Sequence, residues 1–135
     1  MRKRRSREAG FSLIEMLVVL GLISILATIA TVTLGSSSER AYVATMQSDL
    51  RMVAAAQETY IEQTFAETGT AVYANRVSKL DVNLSNGVQI RLRGNRTGWS
   101  ARATHQRIQG QRCAVYRGTI KAFPPATEEG LIECD

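Results

Sequence analysis

Apolar residues are concentrated near the start of the chain. Residues 11–34 form an almost uninterrupted apolar run. As a helix this run is about 36 Å long, which is enough to cross a hydrocarbon core of about 30 Å. The pattern therefore predicts a transmembrane helix at residues 11–34.

The apolar pattern continues on one side of a second helical segment, residues 35–68. Apolar residues recur there at the spacing of a single helix face, with Gln57 as the exception. They are Tyr42, Met46, Leu50, Val53, Tyr60 and Ile61. Gly69 is the predicted end of this helix. The Gly-Ser-Ser-Ser sequence at residues 35–38 is the predicted weak point between the two helical segments.

Residues 69–135 follow a different pattern. Residues 70–86 contain several Asn, Asp and Ser residues and lack a clear period, which is typical of a connecting loop with room for one short strand. After Gly87, apolar and polar residues alternate, with turns predicted at residues 94–98 and 109–111. This alternation predicts an antiparallel sheet of three to four strands with one apolar face. Packed on the amphipathic helix, the sheet gives an α+β fold.

The net charge of +5 comes mostly from the first ten residues. These residues include five basic side chains and one acidic side chain, whereas the rest of the chain has 12 basic and 11 acidic residues. A basic segment before an apolar run keeps the N-terminus in the cytoplasm. Residues 1–10 are therefore predicted to be a basic leader. The alternative is an ordinary secretory signal that is cut after a small residue, at Ala27 or Ala30.

Glu15 distinguishes these alternatives, because a carboxylate inside an apolar helix costs roughly 2.5–3.5 kcal/mol on insertion scales. A secretory signal or a plain anchor gains nothing from such a residue. Cleavage between Gly10 and Phe11, however, creates a new α-amine four residues before Glu15. The amine and the carboxylate can neutralise each other within one chain or between staggered neighbours. Pairing between chains would also fix their axial register.

Residues 10–20 read Gly-Phe-Ser-Leu-Ile-Glu-Met-Leu-Val-Val-Leu, and they closely resemble the class III leader junction of type IV pilins and type II secretion pseudopilins. The resemblance implies cleavage after Gly10 by a prepilin peptidase, N-methylation of Phe11, and Glu15 as the partner of a neighbour's terminal amine. It also implies a long helix packed on a small antiparallel sheet. Many members of the family carry a proline where this chain has Val32, so the usual kink is not expected here.

The two cysteines, Cys113 and Cys134, lie in the last quarter of the chain. In an exported domain such a pair usually forms a disulfide, and two free thiols are the alternative. The bond would close a loop of about 20 residues and stabilise the C-terminal tail by roughly 3 kcal/mol. We expect the tail to depend on it, because the Pro124-Pro125 pair and residues 128–130 offer little for packing.

An arginine-rich stretch accompanies the predicted strands. From Val82 to Thr127 there are eight basic residues and no acidic residue. The candidate anion-binding face comprises Arg91, Arg93, Arg102 and Arg117. Three uses remain open for it, namely binding to DNA or an anionic surface, contact with the acidic helix face of a neighbouring subunit, or simple solvation.

The sequence offers no catalytic constellation. His105 is the only histidine, and it has no neighbouring cysteine or aspartate to orient it, so a structural or surface role is predicted. Gly-rich phosphate loops, metal-ligand spacings and acidic triplets suited to Ca²⁺ are absent from the sequence. The chain is therefore predicted not to be an enzyme and to use no cofactor or metal.

Together these inferences predict a subunit of a type IV pilus-like filament. The precursor is expected in the bacterial inner membrane with a cytoplasmic N-terminus, and the mature chain in an extracellular filament. The expected partners are other pilin subunits, the prepilin peptidase and the inner-membrane assembly platform. One alternative is a pseudopilin of a periplasmic pseudopilus, and another is a minor pilin that binds DNA through its Arg-rich sheet face.

Overall fold

The computed structural model describes the backbone of residues 11–135, and the side chains of residues 11–28 and 37–135. Helix α1 (Leu13–Thr68) is followed by a single 3-10 turn (Val77–Lys79). Four strands then follow, β1 (Val88–Gly94), β2 (Gly98–His105), β3 (Ile108–Gly118) and β4 (Glu133–Cys134). They form one antiparallel sheet in the order β1-β2-β3-β4. The predicted α+β fold is thus confirmed.

Both ends of α1 have identifiable local causes. The Ser12 carbonyl accepts the first hydrogen bonds, from the Glu15 N–H at 3.0 Å and the Met16 N–H at 3.2 Å. At the other end, Gly69 has φ of +69° and donates its N–H to the Phe65 carbonyl at 2.9 Å. A left-handed residue just beyond the last turn is the usual helix terminator, and glycine adopts it without a side-chain clash. The predicted stop at Gly69 is confirmed.

The chain divides into two compact units, the first ending at Ser37 and the second running from Ser38 to Asp135. The backbone is helical through residues 35–38 in the isolated chain, and the weak point predicted there stays a prediction. Within the part of the chain that the structure describes, no helix has the length and apolarity needed to cross a membrane. The transmembrane assignment of residues 11–34 stays a prediction.

The hydrophobic core of the second unit lies between α1 and one face of the sheet. Met46, Leu50 and Val53 are fully buried, as the apolar stripe predicts. Their partners in the sheet project from the same face of β1, β2 and β3 and include Val88, Trp99, Ala101, Ala103 and Val115. Gln57, the apparent gap in the stripe, is also fully buried.

The connection between α1 and β1 contains the 3-10 turn and no strand, so the short strand allowed for residues 70–86 does not form. A buried carboxylate holds this segment. Asp49 of α1 accepts hydrogen bonds from the Ser85 N–H at 2.9 Å and from the Ser85 hydroxyl at 2.8 Å. Because both donors belong to one residue, they fix the loop on the helix just before β1 begins.

The turn predicted at residues 109–111 is misplaced. Strand β3 already begins at Ile108, which is buried and pairs with His105. Gly110 lies inside the strand with φ of +91°, and the register shifts between Thr104 and His105. A glycine with positive φ within a strand is typical of such an irregularity, and the sequence signal resembles that of a turn.

The C-terminal tail crosses the outer face of the sheet, where Phe123 and Ala126 are buried against Ala114 and Tyr116. The Phe123 N–H also donates to the Ser100 hydroxyl at 2.9 Å. Residues on either side of the Pro124-Pro125 pair therefore hold the tail by packing, which the sequence pattern did not indicate. The dependence of the tail on the disulfide stays a prediction.

Candidate functional site

The start of α1 carries the residues predicted to control assembly. Phe11 lies two residues before the helix and is exposed. Glu15 is the acidic residue of the first turn and is also exposed. A carboxylate in the first turn interacts favourably with the positive end of the helix dipole, and its spacing from Ser12 matches a capping box. Gly10, on the other side of the predicted cleavage bond, lies outside the described residues.

An exposed apolar surface follows directly. The described side chains of residues 11–28 are all exposed, including large apolar ones such as Leu13 at 81% and Leu26 at 67%. The polar side chains among them are partly satisfied within the helix, since the Ser24 hydroxyl donates to the Leu20 carbonyl at 2.7 Å. A continuous apolar surface of this kind marks a region that binds lipid or protein.

Comparison with known proteins identifies the same segment of the chain. A family model described as the prokaryotic N-terminal methylation motif matches residues 5–31. No curated protein and no solved structure matches the chain. The chain therefore carries the class III leader motif of type IV pilins and pseudopilins. The motif supports a pilin-like or pseudopilin precursor, and proteins of this type are structural subunits. It implies a membrane-anchored precursor, processing by a prepilin peptidase and assembly with other pilins.

The predicted disulfide is confirmed. Cys113 and Cys134 are bonded, and the strands that carry them, β3 and β4, pair at these two positions. Gln47 of α1 contacts the bond, with its amide nitrogen 3.4 Å from the Cys134 sulfur. The last residue is held as well, because Asp135 forms an ion pair with Arg112 at 2.6 Å.

The structure brings together three of the four residues of the candidate anion-binding face. The strand register places Arg91 directly opposite Arg102, with Arg93 two residues further along β1 on the same outer face. Arg117 does not join them. It pairs with Trp99 on the helix side of the sheet and forms an ion pair with Glu58 at 2.7 Å. Its alternation with Cys113 and Val115 in the sequence is the signal that places it on that side.

An aromatic ring organises the outer arginines. The guanidinium carbon of Arg93 lies 4.0 Å from the centre of the Phe123 ring, and that of Arg102 lies 5.3 Å from it. Such cation–π contacts hold guanidinium groups in place while leaving their N–H edges free to donate. The Phe123 side chain comes from the tail, so the sequence pattern of the strands alone gives no sign of this arrangement.

A cleft beside these residues, called here the Arg cleft, has a volume of about 430 Å³. Its charged rim is formed by Arg76, Arg91 and Arg93. Its apolar lining comes from Val77, Ile90, Leu92 and Phe123, and Asn75 and Ser78 complete it. Sequence reasoning missed Arg76, because it lies in the irregular connection before β1 rather than in the alternating strands.

His105 has a packing role in this structure. Its ring is buried and stacks on Tyr42, with the ring centres 4.3 Å apart. Its Nδ1 accepts a hydrogen bond from the Arg107 N–H at 3.1 Å. Among the described residues, no group of three or more histidine, cysteine, aspartate or glutamate side chains is placed to hold a metal ion.

Proposed function

We propose that this chain is a subunit of a type IV pilus-like filament, cut between Gly10 and Phe11 and methylated on the Phe11 amine. The observation that carries the proposal is the methylation motif at residues 5–31, which covers the junction, Glu15 and most of the exposed apolar helix. The precursor spans the inner membrane through residues 11–34, and the second unit folds outside and oxidises its disulfide. The peptidase, the assembly platform and other pilin subunits are its partners.

The mechanism depends on the charge pair at the start of the helix. Lipid chains are as apolar as the helix surface, so apolar burial alone gives little preference for a filament over the membrane. An amine on Phe11 and a carboxylate on Glu15 are both costly in an apolar environment, and their pairing between subunits offsets that cost. The pairing therefore favours filament entry and fixes the axial stagger of neighbouring helices.

Replacing Glu15 tests this mechanism. The Glu15→Ala chain is expected to be processed normally, since the cut precedes the residue, but to be missing from sheared filaments. Glu39→Ala is a matched control, because Glu39 is an exposed carboxylate of the same helix outside its first turn. Filaments that incorporate the Glu15→Ala chain as well as the wild type would contradict the pairing mechanism.

A second candidate is a pseudopilin of a type II secretion system, which shares the leader motif. Sheared surface fractions distinguish the two, since a pseudopilus stays in the periplasm. A third candidate is a minor pilin that binds DNA through Arg91, Arg93 and Arg102, and the clustering of these residues on one face supports it. Phosphate contacts weaken steeply with salt, so a salt-dependent gel shift of the purified chain tests this candidate.

A further inference from the structure

The arginines of the Arg cleft form no ion pair with the described residues of their own chain. Within residues 11–28 and 37–135, the ion pairs of the structure are Arg112–Asp135 and Arg117–Glu58, and neither involves the cleft. The exposed guanidinium groups of Arg76, Arg91 and Arg93 can therefore donate to an acceptor that another molecule supplies.

The end of α1 has the opposite imbalance. Glu62 and Glu67 are exposed, and the last turn of the helix has no basic residue. The C-terminal end of a helix dipole is negative, so a carboxylate there is unfavourable unless a cation lies nearby. One turn after Glu62, on the same side of the helix, Phe65 is 60% exposed, although large aromatic side chains normally contribute to a core or an interface. Glu62 and Phe65 are called here the Phe65 knob.

The two surfaces match in chemistry. The Arg cleft combines an apolar lining with a basic rim, and the Phe65 knob combines an aromatic ring with a neighbouring carboxylate. We propose that the Arg cleft of one subunit binds the Phe65 knob of a second copy of this chain. The ring enters the apolar part of the cleft, and the Glu62 carboxylate pairs with the arginines of the rim, Arg76 and Arg91. This interaction rests on the proposed filament function and names a contact between its globular units.

The geometry of such a contact suits a filament. The cleft and the knob share no residue, so each subunit uses one surface to bind its neighbour and leaves the other free. Contacts of this heterologous type extend into open helical assemblies when the rotation between subunits does not close a ring. The contact would thus favour filament assembly, as the pairing of Phe11 and Glu15 does.

A second copy fits the cleft better than a nucleic acid does. Beyond the leader, the chain has 12 basic and 11 acidic residues, so it has little net attraction for a polyanion. The aromatic ring at the cleft, Phe123, is buried beneath two guanidinium groups and offers no free face for base stacking. The Glu62 carboxylate of the knob supplies the acceptor from the chain itself.

Photocrosslinking tests the contact in the full-length chain expressed in its own host. A benzoylphenylalanine at position 65 is expected to give a covalent dimer whose linked peptide lies within residues 76–93. The same probe at Met52, which is 39% exposed on the same helix, serves as the matched control and is not expected to reach that peptide. Assembled filaments in which position 65 links elsewhere, or to no second copy, would overturn the proposal.

Charge reversal provides a second test. It compares several variants, so its result does not depend on whether a single variant folds. Arg91→Glu and Glu62→Arg are each expected to lower the yield of sheared filament roughly tenfold. Combining the two changes is expected to restore it, because the charges are exchanged rather than removed. Failure of the combination to recover filaments when both parent variants are stable and oxidised argues against the contact. So does a loss of duplex DNA binding in the Arg91→Glu variant with the crosslink unchanged.

The two proposals can fail separately. If the wild-type chain is cleaved and methylated but the position 65 probe finds no cleft peptide, the contact is wrong and the filament function stands. If the chain is never cleaved after Gly10 yet the probe links the cleft in membrane fractions, the contact stands and the filament function falls.

Discussion

Gln57 of α1 binds both backbone polar groups of Ala74. Its Oε1 accepts from the Ala74 N–H at 2.9 Å, and its Nε2 donates to the Ala74 carbonyl at 2.8 Å. Both residues are fully buried. The Gln57 amide therefore supplies both hydrogen-bond partners that the Ala74 backbone would otherwise find in a neighbouring strand. These two bonds attach the connection before β1 to helix α1.

Removing this amide should destabilise the second unit. Gln57→Leu leaves a buried N–H and a buried carbonyl without partners, which we expect to cost about 3 kcal/mol of unfolding free energy. Urea unfolding of the purified chain measures it. Gln63→Leu, at an exposed position of the same helix, should change the free energy by less than about 0.5 kcal/mol. Equal stability of the two variants would show that the Ala74 contact contributes nothing.

The disulfide should contribute to the free energy of unfolding in addition to the other contacts of the tail. Replacing Cys113 and Cys134 together by serine opens a loop of about 20 residues, which corresponds to roughly 3 kcal/mol of unfolding free energy in the chain-entropy model. Unfolding of the wild type with and without dithiothreitol should show the same loss. The double variant is the control, because the reductant should leave it unchanged. A wild type that is insensitive to reduction would contradict the prediction.

Two carboxylates of the tail should make its stability depend on acid pH. The Thr127 and Glu128 N–H groups lower the pKa of Glu133, together with the Thr127 hydroxyl. The Arg112 side chain lowers the pKa of Asp135. A lowered folded-state pKa means that this stabilisation is present above the ordinary carboxylate pKa and is lost as the pH falls through the lowered values.

The effect is expected to be small, because both carboxyl groups remain partly exposed to solvent. Thermal midpoints measured from neutral pH down to pH values below the ordinary carboxylate range should fall less steeply for Glu133→Gln with Asp135→Asn than for the wild type. Glu128→Gln removes a carboxylate of the same tail, and the structure gives its side chain no hydrogen bond; it should follow the wild type. If the thermal midpoints of all three chains fall equally with pH, Glu133 and Asp135 do not cause the loss of stability in acid.

Local patterns predicted much of this fold, because each was encoded by neighbouring residues. The helical stripe around Met46 and Leu50, the stop at Gly69, and the alternation in β1 and β2 are of this kind. The covering of the outer sheet face was not predictable in this way. Phe123 is an isolated apolar residue in a polar tail, and only the path of the chain brings it beneath Arg93 and Arg102.

The candidate sites also include residues that a local pattern identifies and residues that only the fold brings together. Phe11 and Glu15 were identified from a contiguous motif, which the family comparison also matches. The Arg cleft depends on residues from the connection, a strand and the tail, so counting arginines along the strands found Arg91 and Arg93 but not Arg76. Gln57 looked like an interruption of the stripe, because its partner Ala74 lies 17 residues away on an irregular segment.

The N-terminal mass of the protein, purified from its own membrane or from sheared surface material, tests the central claim most directly. The account predicts a chain that begins at Phe11 and is about 14 Da heavier than its sequence because of one methyl group. A chain that begins near Thr31, or one that retains Met1, would contradict it and would indicate an ordinary secreted or anchored domain.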